Sequence, residues 1–149
     1  MSTIANCYAP VVGDTTPPEL RLLDALFRLN KSVLADVRIH VAAAGDLDLV
    51  DFLALRTIEL GVDTPGDLAR DLGLNPAVIS RTLTKLTHAG MIQRHIDGVD
   101  SRRSRITLTS TGAETNAAIA ARVRPGLAER LNGLPAKEVD RLLDTLERL

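Results

Sequence analysis

The segment from Asp67 to Arg94, DLARDLGLNPAVISRTLTKLTHAGMIQR, predicts two short helices separated by a tight turn. Each helix has a capping residue, a proline at its first position and a glycine after its last turn. These residues are Thr64, Pro65 and Gly73 for the first helix and Asn75, Pro76 and Gly90 for the second. Two capped helices joined by a turn that contains glycine are the signature of a helix-turn-helix.

The next segment, IDGVDSRRSRITLTSTG, predicts a β-hairpin with a basic tip. The residues from Met91 to Ile96 and from Arg105 to Leu108 are rich in apolar and β-branched side chains, which favour strands. Asp97 and Gly98 open the turn between them, and Ser110 is expected to cap the following helix. A helix-turn-helix followed at once by a basic hairpin predicts a winged helix, with the hairpin as the wing.

Helical patterns extend the fold on both sides of this unit. Apolar residues at helical spacing predict a long helix from Glu19 to about Ala44 and a second one from Asp46 to Leu60. After the hairpin we expect a helix from Ser110 to about Leu131, bent near Pro125, and a last helix from Leu134 to Leu149. The fold class is therefore mainly α with a small β-hairpin wing. Inward positions of the second helix are expected at Leu49, Val50, Phe52, Leu53, Leu55 and Ile58.

Charge is distributed unevenly along this chain of 149 residues. The formal net charge is −1, yet the stretch from Arg81 to Arg105 carries six basic residues and two acidic ones, a local charge of +4. A basic patch on an acidic body indicates a surface that binds anions. Aromatic residues make up only 2% of the chain, which disfavours stacking on bases as the mode of binding.

The second helix of the pair is predicted to present its outer face to DNA. At 100° per residue, Ile79, Leu83 and Leu86 share the buried face. Small residues near the start of the helix would let it enter a major groove about 12 Å wide. Arg81 is the candidate for a guanine edge or a phosphate, and Ser80 for a phosphate. The predicted DNA-binding residues of this helix are Asn75, Ala77, Val78, Ser80, Arg81, Thr84 and Lys85.

The hairpin tip supplies the remaining predicted contacts. Arg102 is expected to lie in the adjacent minor groove, whose negative potential attracts arginine. Asp100 is expected to orient Arg102 by pairing with it, and Arg103 to reach a phosphate. Arg105 begins the return strand and is interpreted as ordinary surface. Any amphipathic helix exposes some basic residues, so it is the neighbouring hairpin that favours DNA.

The stretch from Leu47 to Gly112 resembles the MarR family of bacterial transcription regulators, named for multiple antibiotic resistance. The resemblance lies in the segment from Asp67 to Arg94 and in DSRRSRITLTSTG, which is similar to the family's Asp-x-Arg wing and its closing Leu-Thr-x-x-Gly. Asp100 and Arg102 match the Asp-x-Arg pair. Pro135 departs from the family pattern, since relatives commonly have a serine-like cap before the last helix.

The resemblance implies a homodimer that binds a pseudo-palindromic operator on double-stranded DNA and usually represses nearby genes. It implies a winged helix-turn-helix at residues 46–110, a helical dimerisation region at 18–45 and 111–149, and an N-terminal tail at 1–17. By analogy a small phenolic or other aromatic effector would release the DNA. Relatives often line the effector cleft with aromatic side chains, and here only Tyr8, Phe27 and Phe52 are available for that role.

Other classes of function find less support. The chain has no recognisable nucleophile-base arrangement or phosphate-binding glycine loop, so we expect neither an enzyme nor a cofactor. The three histidines lack metal-ligand spacing, and we expect no metal. Two alternatives stay open: a winged helix that binds proteins, and a regulator that senses peroxide through Cys7. A single cysteine, no apolar leader and no long apolar run predict a cytoplasmic protein without a membrane segment.

Overall fold

A computed structural model describes residues 16–96 and 104–148. Six helices and one antiparallel hairpin are present in these ranges. They are α1 (Pro18–Ala42), α2 (Leu49–Glu59), α3 (Pro65–Asp71), α4 (Pro76–His88), β1 (Ile92–Ile96), β2 (Ser104–Leu108), α5 (Ser110–Leu131) and α6 (Ala136–Leu146). The predicted fold class, mainly α with a β-hairpin wing, is confirmed.

Local capping sets where most of the helices begin. Thr64 accepts a hydrogen bond from the Asp67 amide and caps α3, as predicted. The prediction that α2 begins at Asp46 is wrong by three residues, because Asp48 and Asp51 form a capping box that starts the helix at Leu49. At α6, Pro135 takes the N-cap position without a side-chain hydrogen bond.

The cap of α5 corrects a second prediction. Ser110 was expected to cap this helix, but it is the first helical residue. Thr109 is the cap: its hydroxyl accepts a hydrogen bond from the Gly112 amide at 3.1 Å. The same hydroxyl donates to the Gly90 carbonyl at 2.6 Å, a contact between α5 and the end of α4. Ser110 has the right chemistry for a cap, but the chain packing at Gly90 selects its neighbour.

The main core lies within residues 34–149, one of the two compact units of the chain. Its fully buried side chains come from the end of α1, where Val41 is 0% exposed, and from α2, α3, α4, α5 and both strands. They include Leu55, Leu68, Ile79, Leu83, Leu86, Ile92, Ile106 and Ile119. Phe52, Leu55 and Ile58 of α2 are buried as predicted, whereas Leu49, Val50 and Leu53 are only half-buried.

The hairpin is fastened to the core at its open end. β1 and β2 pair in antiparallel register from Ile92 opposite Leu108 to Ile96 opposite Ser104. The Ile106 amide donates to the Asp63 carbonyl at 2.7 Å, which ties β2 to the connection between α2 and α3. A Cβ on Gly112 would lie 1.9 Å from the Met91 carbonyl oxygen. Only glycine therefore allows α5 to start this close to the hairpin.

The other compact unit, residues 1–33, contains the first part of α1. The apolar side chains of this part of the helix are exposed. They are Leu20, Leu22, Leu23, Leu26, Phe27 and Leu29, with exposed fractions between 41% and 68%. Such an apolar surface is unusual for a helix that functions alone in water.

The last helix, α6, lies in the unit formed by residues 34–149 and also exposes its apolar side chains. No side chain of α6 is buried between Ala136 and Leu146. Its apolar residues Leu142, Leu143 and Leu146 are 40%, 48% and 41% exposed. Among the helices in the described ranges, none is both long and apolar enough to cross a membrane.

Candidate nucleic-acid interface

The helix α4 has one apolar face in the core and one polar face outside it. Ile79, Leu83 and Leu86 are at most 1% exposed, as the helical spacing predicted. The predicted contact residues on the other face are mostly open to solvent. Ala77, Ser80, Arg81 and Thr84 are exposed, and Val78 and Lys85 are half-buried.

The start of α4 is held by its own cap. Asn75 Oδ1 accepts a hydrogen bond from the Ala77 amide at 2.8 Å, so this oxygen is engaged in capping. Gly73, in the turn before it, has a φ of 61°, a left-handed conformation that favours glycine. The turn and the cap together set the direction in which the helix leaves α3.

Arg81 lies one turn into the exposed face of α4. Its guanidinium group forms no ion pair or hydrogen bond within residues 16–96 and 104–148. Nearby, the Thr84 hydroxyl donates to the Ser80 carbonyl at 2.9 Å, so that side chain is partly used inside the helix. The guanidinium group of Arg81 therefore remains available to a ligand on this face.

Lys85 was predicted to contact DNA from the outer face of α4, but its side chain is directed toward α2. Its ammonium group donates to Asp51 Oδ2 at 2.6 Å, and Asp51 is only 1% exposed. The hydrogen bond to Asp51 raises the pKa of Lys85 above its usual value. Burial opposes this shift, and the charges of Asp51, Asp48 and Asp46 add to it. No sequence pattern signalled this contact, because an acid in a helical cap is usually solvated.

The base of the wing contains a second ion pair that the sequence did not predict. Arg105 donates to Asp63 Oδ2 at 2.7 Å, across the connection between α2 and α3. Arg105 was interpreted as ordinary surface, and its side chain is 70% exposed, with an ion pair to Asp63 at the surface. The predicted wing contacts Asp100, Arg102 and Arg103 lie outside the described residues.

These pairs reduce the basic patch that the sequence predicted. Lys85 and Arg105 belong to the stretch of charge +4, but each is bound to an acid from outside that stretch. Arg81 and Arg94 are exposed and have no ion pair in the part of the chain that the structure describes. Within the described part of this stretch, the unpaired positive charge is thus limited to these two arginines.

An open cavity of about 460 Å³ lies between α2 and α5. Most of its lining is apolar, and two arginines reach it. The lining residues are Phe52, Arg56, Ala120, Val123, Arg124, Leu127, Ala128 and Leu131. Arg56 is paired with Glu59 at 3.2 Å, whereas Arg124 has no ion pair or hydrogen bond in the described ranges. Phe52 is the one predicted aromatic cleft residue that lines this cavity among the described residues, and no sequence pattern indicated Arg56 or Arg124.

The other aromatic candidates do not line this cavity. Phe27 is 68% exposed, and Tyr8 lies outside the described residues, as does Cys7. Within the described ranges there is no group of three His, Cys, Asp or Glu side chains placed to hold a metal ion.

Comparison with solved structures places the chain in a known fold. A MarR family transcriptional regulator from Silicibacter pomeroyi is 24% identical, with a TM-score of 0.78; 87% of this chain and 88% of that chain are covered. CouR from Rhodococcus jostii RHA1, solved with p-coumaroyl-CoA bound, is 24% identical, with a TM-score of 0.74 and coverage of 85% and 89%.

A third similar structure is a mutant of MarR from E. coli in complex with operator DNA. It is 24% identical, with a TM-score of 0.68 and coverage of 87% of this chain and 94% of that chain. The chain matches no protein-family model. It has the winged-helix fold of the MarR regulators over most of its length.

Proposed function

We propose that this protein is a MarR family transcription regulator that binds DNA as a homodimer. The observation that carries the proposal is the exposed polar face of α4, with Arg81 unpaired, next to a hairpin fastened at its base. The fold similarity to a MarR protein in complex with operator DNA supports it. Repression of neighbouring genes, in the cytoplasm, is the corresponding regulatory role.

In this proposal α4 enters the major groove and the hairpin follows the adjacent minor groove. Arg81 reads a guanine edge or holds a phosphate, and the small Ala77 and Val78 allow close approach. Asn75, Ser80 and Thr84 are polar contacts to the backbone or to base edges. Arg102 enters the minor groove, oriented by Asp100, and Arg103 reaches a phosphate.

A second copy of the chain covers the exposed leucines of α1 and α6. The exposed large apolar side chains of these two helices are 40% to 68% exposed, a large area to leave in water. Burial of such faces across a two-fold axis is the common route to a dimer. Two α4 helices roughly 34 Å apart would then meet successive major grooves of a pseudo-palindromic operator.

The cavity between α2 and α5 is the proposed effector site. Its apolar walls and Phe52 suit an aromatic ring, and the unpaired Arg124 suits a carboxylate or phenolate. CouR, which shares the fold, was solved with p-coumaroyl-CoA bound. A small aromatic acid bound here would change the DNA affinity only if it favours one arrangement of the two α4 helices.

Titration against DNA tests the regulator proposal. Labelled duplexes from the protein's own promoter region and of random sequence are compared by fluorescence anisotropy at two salt concentrations. We expect a preference for the promoter duplex and binding that weakens steeply with salt. Arg81→Ala is expected to lose about 1 to 3 kcal/mol of promoter binding if the side chain reads a base.

The matched control is Arg148→Ala, which removes the same charge from an exposed position after α6. It should leave promoter binding within twofold of the unchanged protein. Equal affinity for promoter and random duplexes would contradict the regulator proposal. Weak binding without salt dependence would instead favour a protein-interaction module. Loss of promoter binding on peroxide treatment, abolished by Cys7→Ser, would favour the redox alternative.

A further inference from the structure

The ion pair between Lys85 and Asp51 joins α4 to α2, the helix that precedes the helix-turn-helix. Lys85 lies in the last turn of α4, and Asp51 lies in the first turn of α2. Asp51 Oδ2 accepts hydrogen bonds from both Lys85 Nζ at 2.6 Å and the Asp48 amide at 2.8 Å. The carboxylate is therefore held in one orientation by its own helix, and it presents that orientation to Lys85.

This contact differs in kind from the rest of the packing of α4. Ile79, Leu83 and Leu86 bury the apolar face of α4 and set which side of the helix faces the core, a restraint that is spread over many contacts. The other side-chain hydrogen bonds of α4 in the described ranges stay within the helix or its cap. The bond from Lys85 is the one that reaches another element, so it opposes rotation of α4 about its axis.

The burial of Asp51 makes the pair difficult to exchange for a DNA contact. A carboxylate that is 1% exposed and loses its cation is left as an unpaired buried charge, which is strongly unfavourable. A phosphate that competed for Lys85 would have to overcome this cost. The half-buried position of the lysine also leaves its ammonium directed toward α2 rather than outward.

We propose that Lys85 is a positioning residue, which sets the rotation of α4 and hence the direction of Arg81, and that it does not bind DNA phosphate. The proposal rests on the proposed DNA-binding function. It replaces the direct contact that the sequence pattern predicted for this lysine. Its consequence is that Lys85 controls the preference for operator over random DNA, whereas a phosphate contact would strengthen both equally.

The dependence of binding on salt separates the two roles. For Lys85→Met we expect the preference for promoter over random duplex to fall by about tenfold, the order of losing one good base contact. The slope of log K against log salt concentration should not change. If Lys85 neutralised a phosphate, the slope would decrease in magnitude by about 0.9 for each phosphate lost, and both duplexes would be bound more weakly.

A double variant separates positioning from stability. Lys85→Met alone leaves Asp51 unpaired and should lower the melting temperature. Asp51→Asn together with Lys85→Met removes the buried charge and keeps a side-chain oxygen for the Asp48 amide, so the melting temperature should recover. The promoter preference should stay low in the double variant, because the directional contact is still missing. Lys85→Arg, which keeps the ion pair, should retain most of that preference.

These measurements distinguish a failure of the positioning role of Lys85 from a failure of the proposed DNA-binding function. If the unchanged protein shows no promoter preference, the regulator proposal itself fails. If the unchanged protein has that preference and Lys85→Met reduces the salt slope, Lys85 is a phosphate contact and the positioning role is overturned. Recovery of the promoter preference together with the melting temperature in the double variant would also overturn it.

Discussion

The winged-helix part of the chain and its last helix use leucine in opposite ways. Leu83 of α4 and Leu55 of α2 are fully buried, whereas Leu143 of α6 is 48% exposed. Both helices, α4 and α6, carry apolar residues at helical spacing. The difference is that α4 finds α2, α3 and the hairpin to pack against, while α6 buries no residue in the described chain.

The contrast shows that an apolar stripe on a helix has two distinct uses. In the winged-helix part the stripe completes a core within one chain, and the ion pair between Lys85 and the buried Asp51 joins α4 to α2. In α6 the stripe is available to a second molecule. The free energy of unfolding of the winged-helix part should therefore be independent of protein concentration. Burial of the apolar face of α6 by a second molecule should increase with protein concentration.

The largest expected effect comes from charging the exposed face of α6. Leu142→Glu together with Leu146→Glu should convert the proposed dimer into a monomer, because two carboxylates cannot be buried in an apolar interface. Operator affinity should fall by roughly 100-fold or more, since binding through two linked half-sites is lost. Sedimentation equilibrium measures the mass, and anisotropy measures the affinity.

The control for this variant is Leu60→Glu, which charges a leucine that is 76% exposed at the end of α2. It should remain dimeric and bind the promoter duplex normally. A dimer that survives the two substitutions in α6 would remove the proposed role of this face.

A smaller effect is expected at the junction between the hairpin and α5. Gly112→Ala places a methyl group where a Cβ would be 1.9 Å from the Met91 carbonyl oxygen, so backbone must shift. We expect a loss of about 1 to 3 kcal/mol in the free energy of unfolding, in the range of overpacked cores. Urea denaturation followed by circular dichroism measures it.

Gly66→Ala is the matched substitution. Gly66 lies in α3, and a Cβ there would meet nothing within 4 Å. Alanine should be neutral or stabilise the protein by up to about 1 kcal/mol, because it favours the helix. Equal losses at Gly66 and Gly112 would mean that the close approach to Met91 is not what requires glycine.

The smallest effect is expected at the cavity, where α2 of the winged-helix part meets α5. At a 4-hydroxybenzoate concentration ten times its Kd, binding should stabilise the protein by about 1.4 kcal/mol. Arg124→Ala should lose this stabilisation, because it removes the free guanidinium from the cavity lining. Thermal unfolding with and without the acid measures both.

Arg122→Ala is the control, since Arg122 is on the same helix but donates to the Ala43 carbonyl and does not line the cavity. It should keep the response to the acid. If the unchanged protein shows no thermal response to 4-hydroxybenzoate, this aromatic acid does not occupy the cavity.

Features with a local physical cause could be predicted from the sequence. The predicted caps at Thr64 and Asn75 are confirmed. A capping side chain bonds to an amide in the first turn of its own helix, so it needs no partner from a distant part of the chain. The cap of α5 was assigned one residue too late, at Ser110, because Ser110 and Thr109 are chemically equivalent locally. Only the contact of Thr109 with Gly90 distinguishes them.

In the candidate site, too, the local features could be predicted from the sequence and the contacts between distant residues could not. That Arg81 lies on the exposed face of α4 follows from a period of 3.6 residues and was predictable. The partners of Lys85 and Arg105 were not, since Asp51 is 34 residues and Asp63 is 42 residues away in the chain. A basic side chain is paired or unpaired according to which acidic side chains the fold places beside it. Spacing along the sequence does not indicate these neighbours.

The sequence by itself determined the order of the helices, the hairpin between α4 and α5, and the face of α4 that is buried. These features follow from apolar periodicity, capping residues and glycine positions, which act over a few residues. Tertiary structure alone decided that Lys85 binds Asp51, that Arg105 pairs with Asp63, and that Arg124 lines a cavity. The physical reason is that ion pairs and cavities form between distant segments, and their positions are set only when those segments pack.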